Sequence, residues 1–158
     1  MTSEEILLIT AHVDGASRGN PGHAGFGVLI ELDGAGTVYS RAGYLGETTN
    51  NQAEYKALLH CLTALEELQL SSGIIYSDSE LLVKQLSGEY RVKDQQLRPL
   101  FEEARARLTR LEGIRIRHIR RENNQAADAL ANTGIDWGLS NLKEAAGQSR
   151  SPSERRGE

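Results

Sequence analysis

The 158-residue chain has a single cysteine, Cys61, so no internal disulfide can form. Its histidines, His12, His23, His60 and His118, are scattered, with neither C-x-x-C nor H-x-x-x-H spacing, which argues against a zinc site or a thiol redox centre. No apolar run approaches the roughly 20 residues needed to cross a bilayer. The opening MTSEEILLITAHV lacks the basic start and small-residue cleavage site of a signal peptide, so the expectation is a soluble, cytoplasmic protein. A phosphate-binding G-x-x-x-x-G-K-[ST] loop is also missing, which takes support from a nucleoside-triphosphate site. There is no internal repeat, and the length suits one domain with a sizeable core.

Charge is present but unevenly placed. The net charge is −4, yet residues 81–121 hold eleven Lys and Arg against five Asp and Glu, which makes that stretch +6 and the remainder −10. Such segregation fits a phosphate-facing surface beside an acidic site. A solvated helix face explains the arginines of EEARARLTRLEG equally well, and both readings stay open.

The apolar segments ILLITAHVDGAS, FGVLIEL and TVYSRAGYL read as three strands, with Asp33-Gly34 supplying the positive φ angles of a tight hairpin between the last two. The period then becomes helical. In TTNNQAEYKALLHCLTALEELQL the residues Leu58, Cys61, Leu65 and Leu68 form one apolar stripe. SGIIYSD predicts a strand, SELLVKQLSG a short helix ended by Gly88, and LRPLFEEARARLTRLEG a longer helix ended by Gly113. IRIRHI alternates as a strand, and NNQAADALANTG predicts a last helix capped by Gly134. The order β-β-β-α-β-α-α-β-α implies an α/β fold with a mixed sheet whose later strands run parallel. Beyond Leu142 the sequence loses its period, so the expected domain is 1–142 with a disordered tail over 143–158, and Trp137, following the last helix, is expected to pack against the sheet domain.

Four carboxylates stand out. Glu54 continues the apolar stripe of the first helix, where a core residue belongs. Each acid but one has an ordinary explanation: Asn51 with Glu54 matches a capping box, Asp78 is placed to cap the following helix, and Asp128 complements a helix dipole. Asp14, ending a buried strand, has none, because burying a lone carboxylate costs heavily unless a cation sits beside it. All four fall at strand ends or helix starts, where α/β sheets build their crevices. A single account covers them: oxygen ligation of Mg²⁺ or Mn²⁺, in which two ions activate a water and stabilise the leaving oxygen of a phosphodiester. The glycines of GASRGNPGHAG, Gly15, Gly19 and Gly22, would admit close approach of a ligand.

DGASRGNPG, TTNNQAEY, SDSELLVKQL and RENNQAADALAN resemble, in order and spacing, the four signature segments of type 1 ribonuclease H, over about residues 7–134. The resemblance implies a ribonuclease H-like fold: a five-stranded mixed sheet, three antiparallel strands then two parallel, flanked by helices. It implies sequence-independent cleavage of the RNA strand of RNA–DNA hybrids to 5′-phosphate and 3′-hydroxyl ends. Asp14, Glu54, Asp78 and Asp128 would hold two Mg²⁺ ions, with Mn²⁺ as a substitute. Gly15, Ala16, Asn50, Asn51 and Glu80 would meet the hybrid's minor groove, and Asn20 and Thr49 a phosphate of the DNA strand. Capping is an equally ordinary task for Thr49, Asn50 and Asn51.

The chain departs from the common pattern in three places. The loop HIRRENNQ has no histidine of its own, His118 reading as a strand residue; Arg121 either assists product release or is a plain surface arginine. SGEYRVKDQQLRP is too short for an extra basic helix, leaving Arg91 and Lys93 as a smaller substitute. Glu80 stands where the family often has glutamine. A monomer acting on hybrid without a protein partner is expected. A noncatalytic hybrid-binding module, and a relative acting on duplex RNA or DNA junctions, are the alternatives.

Overall fold

A computed structural model describes residues 6–148. Its elements are β1 Leu8–Gly19, β2 Gly22–Leu32, β3 Gly36–Thr48, α1 Asn50–Leu68, β4 Ser72–Ser77, α2 Glu80–Leu86, α3 Arg98–Arg110, β5 Gly113–His118 and α4 Gln125–Gln148. The strands form one sheet in the order β3-β2-β1-β4-β5. β1 and β2 pair antiparallel from Ile9 opposite Leu32 to Gly19 opposite Gly22, and β3 joins β2 in the same sense. β4 lies parallel to β1, and β5 parallel to β4. The parallel pairs are forced by the helical crossovers, as the alternation of strand and helix in the sequence predicts.

One face of the sheet carries the main core. Ile9, Ala11 and Val13 of β1, Val28 and Ile30 of β2, Ile75 of β4 and Ile114 of β5 point to the same side and meet Leu58, Cys61, Leu62 and Leu65 of α1 and Ala104 of α3. Each large aliphatic side chain buried there contributes roughly 1.5–3 kcal/mol. Tyr55 is buried with its polar end satisfied, its hydroxyl 2.7 Å from Gln85 Oε1. Leu68, by contrast, is 40 % exposed at the helix end, so the stripe closes one turn early.

The second face receives α4, and here small residues set the packing. A Cβ at Gly27 would lie 2.2 Å from the carbonyl oxygen of Ala127, so helix and strand touch backbone to backbone. The same contact explains why Gly134 does not end the helix. A Cβ there would lie 2.1 Å from Gly43 O, and α4 continues through residues 143–148, where an aperiodic tail was expected to begin. Residues 149–158 lie outside the described residues. Trp137 faces outward and is 56 % exposed, because the neighbouring Gly134, Ile135 and Gly138 occupy the inward face. Two further boundaries differ. α3 stops at Arg110 and Gly113 opens β5 rather than closing the helix, and in the β2–β3 turn the positive φ angles belong to Gly34 and Gly36, not to Asp33.

Candidate active site

The site forms where β1, β4, α1 and the start of α4 converge. Val13 pairs with Ser77 where the parallel pairing of β1 and β4 ends, so Asp14 and Asp78 follow side by side. Asp14 does not end its strand as expected but stays in β1, paired with Gly27, because β2 extends the pairing to Gly19. Glu54 arrives from α1 because that helix begins against β1. A Cβ at Gly15 would sit 2.2 Å from the backbone of Ala53, so only glycine lets the first turns of α1 come this close. The Gly15 amide donates to Glu54 Oε2 at 3.1 Å, which fixes the carboxylate toward Asp14. Carboxylate oxygens of Asp14, Glu54 and Asp78 all lie within 4.8 Å of one another. Asp128, in the first turn of α4, stands beside Asp14 but outside that tight group, with its Oδ1 3.9 Å from Arg121 Nη2.

The capping explanations fail for two of the acids. Thr49 caps α1, its side chain accepting from the Gln52 amide, and Ser79 caps α2, accepting from Leu82. Glu54 and Asp78 are therefore free for another task, whereas Asp128 still complements the dipole of α4. Asp14 is 4 % exposed and Glu54 5 %. Burial, with the charges of Glu54 and Asp78, pushes the Asp14 carboxyl up to about 10. Burial and the charge of Asp78 push Glu54 up to about 8, against the hydrogen bond from Gly15, which lowers it. Among the described residues the one nearby cation is Arg121, with its side chain 83 % exposed on the rim. A cluster of buried acids in this state is held together by protons or by a cation. Because every donor is a carboxylate oxygen, the ion that fits is a hard divalent one.

The surrounding crevice, about 250 Å³, is lined by Gly15, Ala16, Asn50, Ser79 and Arg121 together with the four acids. The expected substrate residues Gly15, Ala16, Asn50 and Arg121 are thus at the site. Asn20 lies next to it, its Oδ1 accepting from the Asn50 amide at 3.0 Å, and Thr49 is engaged as the helix cap. Asn51 is exposed on the first turn of α1 and Glu80 on α2, and neither lines the crevice. Glu80 pairs with Lys84 at 2.8 Å, which holds its carboxyl below the usual range.

One residue escaped the sequence reading. Asn124 is 1 % exposed, and its Nδ2 donates to Val13 O at 2.9 Å and lies 3.4 Å from Asp78 Oδ2. It therefore ties the loop after β5 to the strand that carries Asp14 and orients Asp78. Its place just before a helix makes it look like a cap, and only the contact across 111 residues reveals the other role.

A family described as "Reverse transcriptase-like" matches residues 12–134. The chain is 43 % identical over 129 residues to "Ribonuclease HI" of Halobacterium salinarum, a match covering 81 % of this chain. It spans 64 % of the length of that curated relative and 36 % of a mycobacterial one that it also matches. Among solved structures, RNase H1 from the same Halobacterium superposes with a TM-score of 0.78 at 40 % identity, covering 81 % of this chain and 97 % of that one. LC11-RNase H1 in complex with RNA/DNA hybrid does so with a TM-score of 0.78 at 38 % identity, over 83 % and 99 %.

Proposed function

The chain belongs to the type 1 ribonuclease H family, and from that premise we propose that it hydrolyses the RNA strand of RNA–DNA hybrids, without sequence preference, in a reaction that depends on two Mg²⁺ ions. The observation that carries this reading is the convergence of Asp14, Glu54 and Asp78, from three different elements, to within 4.8 Å in a crevice that has no buried cation among the described residues. Nothing in the core's packing requires three acids there, and burying them is costly unless divalent cations offset their charge.

Asp14, Glu54, Asp78 and Asp128 would hold the ions. When bound, these supply a nucleophilic water and neutralise the negative charge that develops as the 3′ oxygen leaves. Manganese is the expected substitute, since its preference for oxygen donors is similar. The chain's own groups do the positioning. Glu54 is held by the Gly15 amide and Asp78 is oriented by Asn124, so the ligand oxygens are pre-aimed before substrate arrives. The backbone at Gly15 and Ala16, with Asn50, faces the minor groove, where a ribose 2′-hydroxyl distinguishes RNA from DNA. Asn20 spends its carbonyl oxygen on the Asn50 amide, which leaves its NH₂ free to donate to a phosphate of the DNA strand. Arg121, which lines the rim of the crevice, would meet the cleaved phosphate and assist its release. Cleavage leaves a 5′-phosphate and a 3′-hydroxyl, and because all four acids come from one chain a monomer suffices.

The test is cleavage of an end-labelled hybrid, a duplex RNA and a duplex DNA by wild type and Asp14→Asn, each with Mg²⁺, Mn²⁺ or chelator. The expected result is cutting of the hybrid alone, lost in the variant and in chelator. Intact hybrid under wild type with either metal refutes the proposal, and equal cutting of duplex RNA refutes the substrate assignment.

A further inference from the structure

Helix α4 leaves part of the sheet bare. It enters over Gly27, the residue paired with Asp14, and runs toward Gly43 and Tyr44, away from the first half of β1. Strand alternation puts Thr10, His12 and Asp14 on one face of β1, and Ile74 and Tyr76 on the same face of β4. Pairing extends these into cross-sheet rungs. His12 lies beside Tyr76 and Tyr76 beside Arg117; one rung further from the carboxylates, Thr10 lies beside Ile74 and Ile74 beside Arg115. Thr10, Arg115 and Arg117 are exposed, and His12, Ile74 and Tyr76 are half-buried, so no element among the described residues covers these rungs.

Three features of this surface share one ligand chemistry. The His12 and Tyr76 rings sit 5.3 Å apart, tilted by 31°, and put two neighbouring aromatic groups on this surface. Arg115 and Arg117 project from the edge strand on the same side, and among the described residues neither has an ion-pair partner within 4.0 Å. Their separation by two strand residues, about 6.6 Å, suits successive phosphates of an extended single strand. Glu31 and Asp33 border the hollow on the β2 side, so an anionic chain is confined to the β4–β5 side. The strip is also continuous with the crevice, because exposed Arg120 and the rim residue Arg121 follow closely after β5.

We propose that these uncovered rungs form a binding track for single-stranded nucleic acid, with phosphates on Arg115 and Arg117 and bases against Tyr76 and His12. Flat rings under the bases and cations along the backbone are how strands are held without sequence preference. The track starts one rung from Asp14 and Asp78. Its use as a path for a strand leaving the crevice rests on the hydrolysis reading, but the binding itself does not.

The test is fluorescence anisotropy of a labelled oligouridine decamer in chelator, with wild type, the double variant Arg115→Glu/Arg117→Glu, Arg117→Lys and Tyr76→Leu. Losing two phosphate contacts should weaken binding about ten-fold at about 50 mM salt and reduce the slope of log K against log salt by about 1.4. Tyr76→Leu should lose about ten-fold through stacking alone, and Arg117→Lys should retain most of the affinity. Cleavage of a blunt hybrid by the double variant should match wild type, which confirms its fold and separates the track from the crevice. Equal decamer affinity in wild type and double variant overturns the proposal, as does competition by polyglutamate as effective as by unlabelled decamer. If wild type cuts no hybrid yet decamer binding depends on the two arginines, the hydrolysis reading falls and the track stands.

Discussion

Removing one buried acid should make the metal-free protein more stable, and Asp14→Asn is the cleanest case. The folded state raises the Asp14 carboxyl to about 10, whereas an unfolded aspartate titrates near 3.8. Between those values the folded chain binds a proton that the unfolded chain does not, so stability falls as pH rises, by 1.36 kcal/mol per unit for each such group. Below about pH 4 both states are protonated and the penalty vanishes. At about pH 7 a single group carries a ceiling of about 4 kcal/mol, and an effective interior dielectric near 20 brings the expectation to about 2 kcal/mol. Asparagine has a similar shape and never ionises. In chelator, urea unfolding followed by far-ultraviolet circular dichroism should show Asp14→Asn about 2 kcal/mol more stable at about pH 7.5, the gap closing toward about pH 4. Adding Mg²⁺ should narrow the gap, because the cation binds only the folded wild-type site well. A variant less stable than wild type in chelator, or a gap that does not change with pH, would refute the reasoning.

Other substitutions probe separate links. Asn124→Ala leaves the Val13 carbonyl unpaired in the interior, which should cost about 1–3 kcal/mol in urea unfolding, and calorimetric titration should show weaker Mn²⁺ binding as Asp78 loses its orienting contact. Gly27→Ala drives a methyl into the Ala127 carbonyl and should destabilise by about 1–3 kcal/mol while leaving α1 intact in hydrogen exchange. Thr49→Ala removes the cap of α1 at about 1 kcal/mol, visible as a lowered urea midpoint in chelator. Tyr55→Phe strands the buried Gln85 oxygen and should lower the thermal midpoint by an amount corresponding to about 1–2 kcal/mol.

Much of this was legible in the residues. The order of strands and helices along the chain followed from alternation and helical period, and the oddity of Glu54 on an apolar stripe and of Asp14 in a buried strand singled out acids of the site from the sequence alone. The glycines were read less well. Gly15, expected to make room for a ligand, lines the crevice and also makes room for α1, and Gly134, expected to stop α4, lets it lie against Gly43 and continue. A glycine's local signature is the same whether it serves a turn or a close approach, so the neighbour that needs the space has to be seen. Trp137 was misplaced for a related reason: hydrophobicity predicts burial only where a partner surface exists, and the inward face of α4 was already taken by smaller residues.

By itself the sequence determined the elements, their order, and the identity of the acids, because those depend on patterns within a few residues or within one strand or helix. Tertiary structure alone decided which acids meet. Capping by Thr49 and Ser79 released Glu54 and Asp78, the contact of α1 with Gly15 brought Glu54 to β1, and Asn124 reached back 111 residues to hold β1 and Asp78. Distances of a few ångströms between groups far apart in the chain are set by how layers pack, and local pattern carries no record of them.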